Sequence, residues 1–301
     1  MSAQATANVP HSAPFYPVLI LLAALWGGSF LFMRVAVPSL GPAWLIEIRV
    51  LLAGLALLPL VAARGQVSVL RREWRWLVLM GLLSAAAPFT LLAYASIALT
   101  AGMTSILNAT VPLFAVLVAL ATASETVGVA RVAGVALGFI GVVVLVGSPH
   151  GGDGVPALSI VAGLVAAFSY VLAANLARRR LTHVPSIVSV TGSQLGAALV
   201  LLPLLPLFPP SAMPSAGVIV AVVALALLST SLAFALYFRL IREVGPLRTL
   251  TVTYLIPLFA VAWGYLLLDE QVTPGMLVGG GLILLGVAFA NRRPQPTGAT
   301  R

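Results

Sequence analysis

The chain has 301 residues, 61% hydrophobic and 8% charged, with a mean hydropathy of +1.12. A water-soluble domain carries about 25% charged residues, so the polar surface here is too small to coat a globule and hydrocarbon must be part of the solvent. That excludes a soluble enzyme, a secreted disulfide scaffold and a disordered chain.

The first 14 residues are polar and lack a basic region ahead of an apolar run, so residues 1–16 read as a disordered cytoplasmic tail and not a signal peptide. From Pro17 onward, apolar runs follow at 17–37, 42–62, 76–99, 102–122, 130–147, 156–177, 185–207, 216–240, 247–267 and 274–290. Each is long enough to cross a core about 30 Å thick as a helix. The runs are continuously apolar, without the alternation of barrel strands. The expected fold is an all-α polytopic membrane protein of ten transmembrane helices, ending in a basic cytoplasmic tail at 292–301.

All 16 basic residues are Arg, against 7 acidic residues, for a net charge of +9. With the N-terminus inside, Arg64, Arg71, Arg72, Arg75, Arg131, Arg178, Arg179, Arg180, Arg239, Arg242, Arg248, Arg292, Arg293 and Arg301 are all cytoplasmic. The outer loops hold no Arg, so both termini are expected in the cytoplasm of a cell inner membrane. Arg placed in this way points to anionic lipid headgroups as partners and away from nucleic acid.

The halves resemble each other. PLFAV occurs at 112–116 and at 257–261, and at the same offset of 145 Glu125 meets Glu270, Gly134 meets Gly279 and Gly141 meets Gly286. LALLPL at 55–60 resembles LVLLPL at 199–204, offset 144, and Ala23-Ala24 matches Ala166-Ala167, offset 143. Two five-helix repeats, 17–147 and 156–291, are expected. Five is odd, so the second copy must be inverted, and equivalent loops do carry opposite Arg bias. Inversion gives a fold two states of similar energy around a midplane site, the logic of alternating access.

These marks, together with WGGSF at 26–30, Arg49 in the second helix, and the acids Glu125 and Glu270 closing the fourth and ninth helices, resemble the EamA-type transporters of the drug/metabolite transporter superfamily. The similarity runs from about residue 17 to 291. It implies an inner-membrane carrier, often an exporter, of small metabolites, amino acids or drugs, without naming the substrate.

Polar groups in hydrocarbon are costly unless they face a partner or water. Within 132–147 and 276–290 the fifth and tenth helices carry nothing more polar than Gly and read as peripheral. The other eight offer Trp26, Ser29, Tyr94, Asn108, Tyr170, Gln194, Thr253 and Tyr254, and near mid-depth Thr110, Ser169 and Ser229-Thr230-Ser231. Such a neutral, aromatic-rimmed set suits binding an amphipathic small molecule; interhelical hydrogen bonding is the alternative role of each residue. Pro112 and Pro257 are symmetry mates that free a backbone carbonyl four residues back, as static kinks or as hinges. Glu47 is the one carboxylate well inside a span, the acid available for proton coupling, and pairing with Arg34 would neutralise both. Arg49 has no evident anionic mate and could bind helix-end carbonyls or a substrate carboxylate. Asp269, Glu270 and Glu125 are expected to cap the following helices.

The chain lacks Lys, so neither a Schiff base nor a phosphate-binding Walker lysine can form. It lacks Cys, and His11, His150 and His183 are scattered, so no metal or cofactor is expected. A lipid-modifying enzyme would need clustered His, Asp or Glu. The competing reading is a lipid-handling or assembly protein whose halves never alternate.

Overall fold

The computed structural model describes residues 15–122, 127–147 and 156–291. The two expected tails therefore fall almost wholly outside the described residues, as do Glu125, His11 and His150. Only helices are found among the described residues.

The first is α1, Phe15–Ala63, 49 residues long. At 1.5 Å per residue a straight helix of that length would run about 74 Å, more than twice the hydrocarbon thickness. Gly41 interrupts it with φ 69° and ψ 164°, a conformation that costs a side-chain-bearing residue dearly. The arms fold back on each other, because Met33 and Arg49, eight residues to either side of Gly41, meet at 3.9 Å.

The short α2 (Val67–Arg72) precedes α3 (Trp74–Gly81), which passes through a π turn at Leu82–Ala86 into α4 (Ala87–Ala98). Next come α5 (Ala101–Asn108), α6 (Val111–Ala121), α7 (Val129–Gly147) and α8 (Ala157–Arg180). Then α9 (Ser186–Leu201) tightens into a 3₁₀ turn at Leu202–Leu207. After it α10 (Ala216–Ala226) passes through a second π turn, Leu227–Leu232, into α11 (Ala233–Val244). The chain closes with α12 (Pro246–Thr249), α13 (Val252–Leu268) and α14 (Pro274–Ala290). Seven helical segments among the described residues are long and apolar enough to cross a membrane, and α13 and α14 are shorter apolar helices.

Large apolar side chains such as Val143, Leu199, Leu207, Leu258 and Leu277 point outward. A water-facing surface would not carry so many, so this is a multi-pass membrane protein. Inside, α1 is the central element, packed on α13, α9, α10 and α4. Gly27 lets it approach α13: a Cβ there would lie 2.6 Å from that of Phe259 and 2.9 Å from the Ala260 nitrogen.

The closest helix pair is α7 with α14. A Cβ on Gly134 would sit 2.6 Å from the Gly286 carbonyl oxygen, and one on Gly286 the same distance from that of Gly134. Gly141 and Gly279 stand in the same reciprocal relation at 2.7 Å. Moving seven residues forward on α7 thus moves seven back on α14, so the pair is antiparallel. Small residues allow such contact where lipid offers no hydrophobic drive to association.

One local expectation needs correcting. The run holding Pro112 does not kink at mid-helix but breaks at Ala109–Thr110, so Pro112 lies in the first turn of α6, where its missing N–H costs least. Thr110 Oγ1 donates to the Leu107 carbonyl at 2.7 Å and helps close that break. Pro257 by contrast sits inside α13, whose run is broken earlier, at Leu250–Thr251.

Candidate functional site

Arg49 lies on the second arm of α1 and is only 3% exposed. Its Nε donates to Thr230 Oγ1 at 3.1 Å, its Nη1 reaches Met33 Sδ at 3.9 Å, and its guanidinium carbon lies 3.7 Å above the centre of the Phe89 ring. Phe89 in turn packs on Tyr170 of α8 with centroids 6.4 Å apart. No carboxylate pairs with Arg49 among the described residues. Of the two roles expected for Arg49, its hydrogen bonds use no helix-end carbonyl.

The π turns hold this group in place. In the second, Thr230 Oγ1 donates to Leu225 O at 2.9 Å and Ser231 Oγ to Ala226 O at 3.1 Å, each five residues back. Thr230 has therefore committed its hydrogen and turns a lone pair to Arg49. Ser231 also donates to Ala53 O at 3.3 Å, one helical turn beyond Arg49 on the same face. In the first π turn, the Leu83 carbonyl accepts from Ser169 of α8 at 2.8 Å.

Pairing of Arg34 with Glu47 is not what forms. Arg34 Nε lies 3.4 Å from Glu270 Oε1, and its Nη1 donates to the carbonyls of Ser96 at 2.7 Å and Ile97 at 2.8 Å. The exposed ends of α4 supply carbonyl acceptors that depth in the membrane alone does not reveal. Glu270 also accepts from the Ala101 N–H at 2.9 Å and so caps α5; α14 is capped instead by Thr273, whose Oγ1 accepts from Met276 N at 3.2 Å. Asp269 takes a left-handed φ of 53° and ends α13. Glu47 is buried, and its Oε2 has no hydrogen-bond partner among the described residues.

The other expected residues are dispersed. Trp26 packs on Phe234 and Tyr237 of α11, at 6.1 and 5.3 Å between ring centres. Ser29 is buried on the first arm of α1, and Gln194, 1% exposed on α9, has an Oε1 without a partner among the described residues. Asn108 likewise has an unpartnered Oδ1, at the break before α6. Tyr94 and Tyr254 pack against the cluster around α5 and α14. Tyr254 accepts from Asn291 Nδ2 at 2.8 Å, which ties it to the end of α14 and away from Arg49. Thr253 Oγ1 bonds the Leu250 carbonyl at 2.7 Å beside the break before α13. Sequence reasoning missed Phe89; an aromatic directly after Pro88 was the available signal. It also missed Trp263, whose Nε1 donates to Ala24 O at 3.1 Å and ties α13 to α1.

The EamA-like transporter family matches residues 15–147 and again 157–292, nearly the whole chain. The chain belongs to the EamA-like transporter family. Members of that family are transporters and not enzymes. An uncharacterized transporter YoaV of Bacillus subtilis is 24% identical over 89% of this chain and 94% of its own length. A probable terminal-alkyne amino-acid exporter of Streptantibioticus cattleyicolor is 28% identical over 91% and 92%. A probable amino-acid metabolite efflux pump of Escherichia coli is 25% identical over 89% and 91%. A solved crystal structure superimposes with a TM-score of 0.65 at 26% identity, covering 92% of this chain and 96% of that one.

Proposed function

We propose that this EamA-like protein is an inner-membrane secondary carrier that exports small amphipathic metabolites, such as amino acids or drugs, by alternating access. Ten spans form two inverted five-helix halves, 17–147 and 156–291, with both termini in the cytoplasm. The observation that carries this reading is the reciprocal glycine contact of α7 and α14. At an offset of 145, Gly134 corresponds to Gly279 and Gly141 to Gly286; the contact Gly134–Gly286 is then the mirror of Gly279–Gly141. A two-fold axis through the contact would make the pair self-complementary in this way, and between antiparallel helices such an axis would lie in the membrane plane.

Two further features support it. The π turns start at Leu82 and Leu227, again 145 apart. Contacts between connections also join only ends that ten alternating passes put on one side. Ser39 O accepts from Ser211 N at 2.9 Å and Arg34 meets Glu270 on the outer side, whereas His183 meets Glu73 at 3.1 Å and Arg131 donates to Ala290 O at 3.1 Å on the inner. The solute pathway runs between the halves, lined by Trp26, Ser29, Tyr170 and Gln194, with Tyr94, Asn108, Thr253 and Tyr254 nearer the helix breaks that let the halves tilt. The cytoplasmic Arg side chains sit among anionic lipid headgroups.

Amino-acid solutes are the first to try, since two relatives are named for exporting them. Purified protein in liposomes is expected to exchange radiolabelled amino acids with saturable kinetics. Flux that is linear in solute, or equal to that of empty liposomes across amino acids, amines and purines, contradicts a carrier.

A further inference from the structure

We propose that Arg49 is the anchor for the carboxylate of the transported solute, whose apolar body rests on Phe89 and Tyr170. The proposal rests on the carrier reading and goes beyond it by naming the charge class of the solute and the atom group that selects it.

The argument begins with an unbalanced charge. A guanidinium offers five N–H donors in a planar fork and stays protonated under ordinary conditions. At Arg49 the strong acceptor present is one neutral hydroxyl, that of Thr230, and the sulfur of Met33 is a weak one. Nη2 has no acceptor among the described residues, although the residue as a whole is only 3% exposed. Stacking on Phe89 stabilises the cation without using those donors. A buried cation that lacks a counter-charge is costly to keep. A carboxylate arriving at the free edge of the fork would supply both the missing charge and two acceptors in matching geometry.

The internal repeat separates this role from a structural one. The second helix of the first half and its counterpart correspond at an offset of 144, which places Ser193 opposite Arg49. Ser193 bonds its own helix, its Oγ donating to Val190 O at 2.9 Å. One half therefore builds this helix, at this position, without an arginine. Two other arginines have their needs met: Arg34 has Glu270 and two carbonyls, and Arg239 has Glu243 at 2.8 Å.

The surroundings set the rest of the ligand. Phe89 and Tyr170 give an aromatic wall beside the cation, and the neighbouring Thr230 and Ser231 already use their hydrogens on carbonyls. The anchor thus suits a monocarboxylate with an apolar or aromatic body. A phosphate would carry more charge than a single guanidinium balances.

The test compares L-phenylalanine and phenylacetate with their uncharged-acid partners, L-phenylalaninamide and phenylacetamide, as stabilisers of the purified protein against heat. In wild-type protein each carboxylate should bind at least about tenfold more tightly than its amide, and in Arg49→Gln the two should agree within about twofold. A second arm needs no ligand. Arg49→Met should raise the melting temperature of the ligand-free protein, because it removes an unpaired buried charge. A lowered melting temperature or failure to fold would mean that the fold itself requires Arg49, and would overturn the proposal. Equal or better protection of wild type by the amides would overturn it too, as would protection by none of the four compounds. Thr230→Val, which removes the hydroxyl acceptor but keeps the charge, should retain the carboxylate preference; its loss there would also count against the anchor. Carrier activity is separable: amide flux that persists in Arg49→Gln while wild type shows no carboxylate preference sinks the anchor and leaves the carrier standing.

Discussion

Glu270→Gln isolates the charge of the contact that closes the outer side. The amide keeps an oxygen for the Ala101 N–H but loses the charge 3.4 Å from Arg34 Nε. At an effective dielectric of about 20, two unit charges at that separation attract by about 5 kcal/mol. Arg34 is 32% exposed in its side chain and retains the Ser96 and Ile97 carbonyls, so solvent screening and the remaining bonds reduce the net loss to about 1–2 kcal/mol. The contact joins α1, α4 and α5 of the first half to the segment after α13 of the second. In the alternating-access reading proposed above this contact holds one side closed, so losing it should raise the outward-open population about 5–30-fold. The chain has no Cys, and a single cysteine replacing Ser29 therefore reports without background. Labelling from outside by a membrane-impermeant maleimide should speed up by that factor in Glu270→Gln. An unchanged rate would refute the reasoning. Burial pushes the Glu270 carboxyl above its ordinary 4.5, with the Ala101 N–H and Arg34 partly offsetting it. Acidifying the outer side of wild-type protein should therefore mimic the mutant before ordinary carboxylates protonate.

Alanine at Gly141 and at Gly286 should destabilise equally, by about 1–3 kcal/mol each through overpacking, because the two are mates across one axis; thermal unfolding in detergent would check this, and effects differing severalfold would contradict the axis. Trp26→Ala should lower solute flux while leaving membrane insertion intact, and undiminished flux in liposomes would remove Trp26 from the pathway. Glu47→Gln should abolish the pH dependence of flux if transport is proton-coupled through this acid; a dependence that survives the change assigns coupling elsewhere. Hydrogen bonds from His183 and Arg72 hold the Glu73 carboxyl below its ordinary 4.5. Their stabilisation is present above that value and lost as pH falls further, so below about pH 4.5 wild type should lose melting temperature more steeply than Glu73→Gln.

That the chain is an all-helical membrane protein was legible because hydrocarbon tolerates no unsatisfied backbone, so every crossing must be a long apolar run. The glycines of α7 and α14 marked both helices as suited to close packing, but that the two pack on each other was not legible. What the sequence hid are features decided by tertiary contact. Helix breaks at 109–110 and 250–251 lie ahead of the two prolines, where Thr110, Thr251 and Thr253 hydroxyls bond the Leu107, Arg248 and Leu250 carbonyls. The π turns leave no mark in hydrophobicity, since Leu82–Ala86 and Leu227–Leu232 are as apolar as their flanks. Arg34 was matched to an acid of similar depth on the next arm, whereas its partner comes from Glu270, far along the chain. The ring beneath Arg49 belongs to another helix and carries no local signature.

Rocking of the two halves is tested most directly by tethering them. A Cβ on Gly264 would lie 3.6 Å from that of Ala101, within the range a disulfide spans, and would push aside the flexible Glu270 carboxylate that now fills the space, so Gly264→Cys alone is the reference; the two residues belong to α13 and α5 of opposite halves. In the otherwise cysteine-free chain, Ala101→Cys with Gly264→Cys should exchange solute when reduced, stop when oxidised, and recover on reduction. Exchange that continues at full rate with the bridge completely formed would contradict alternating access in this protein.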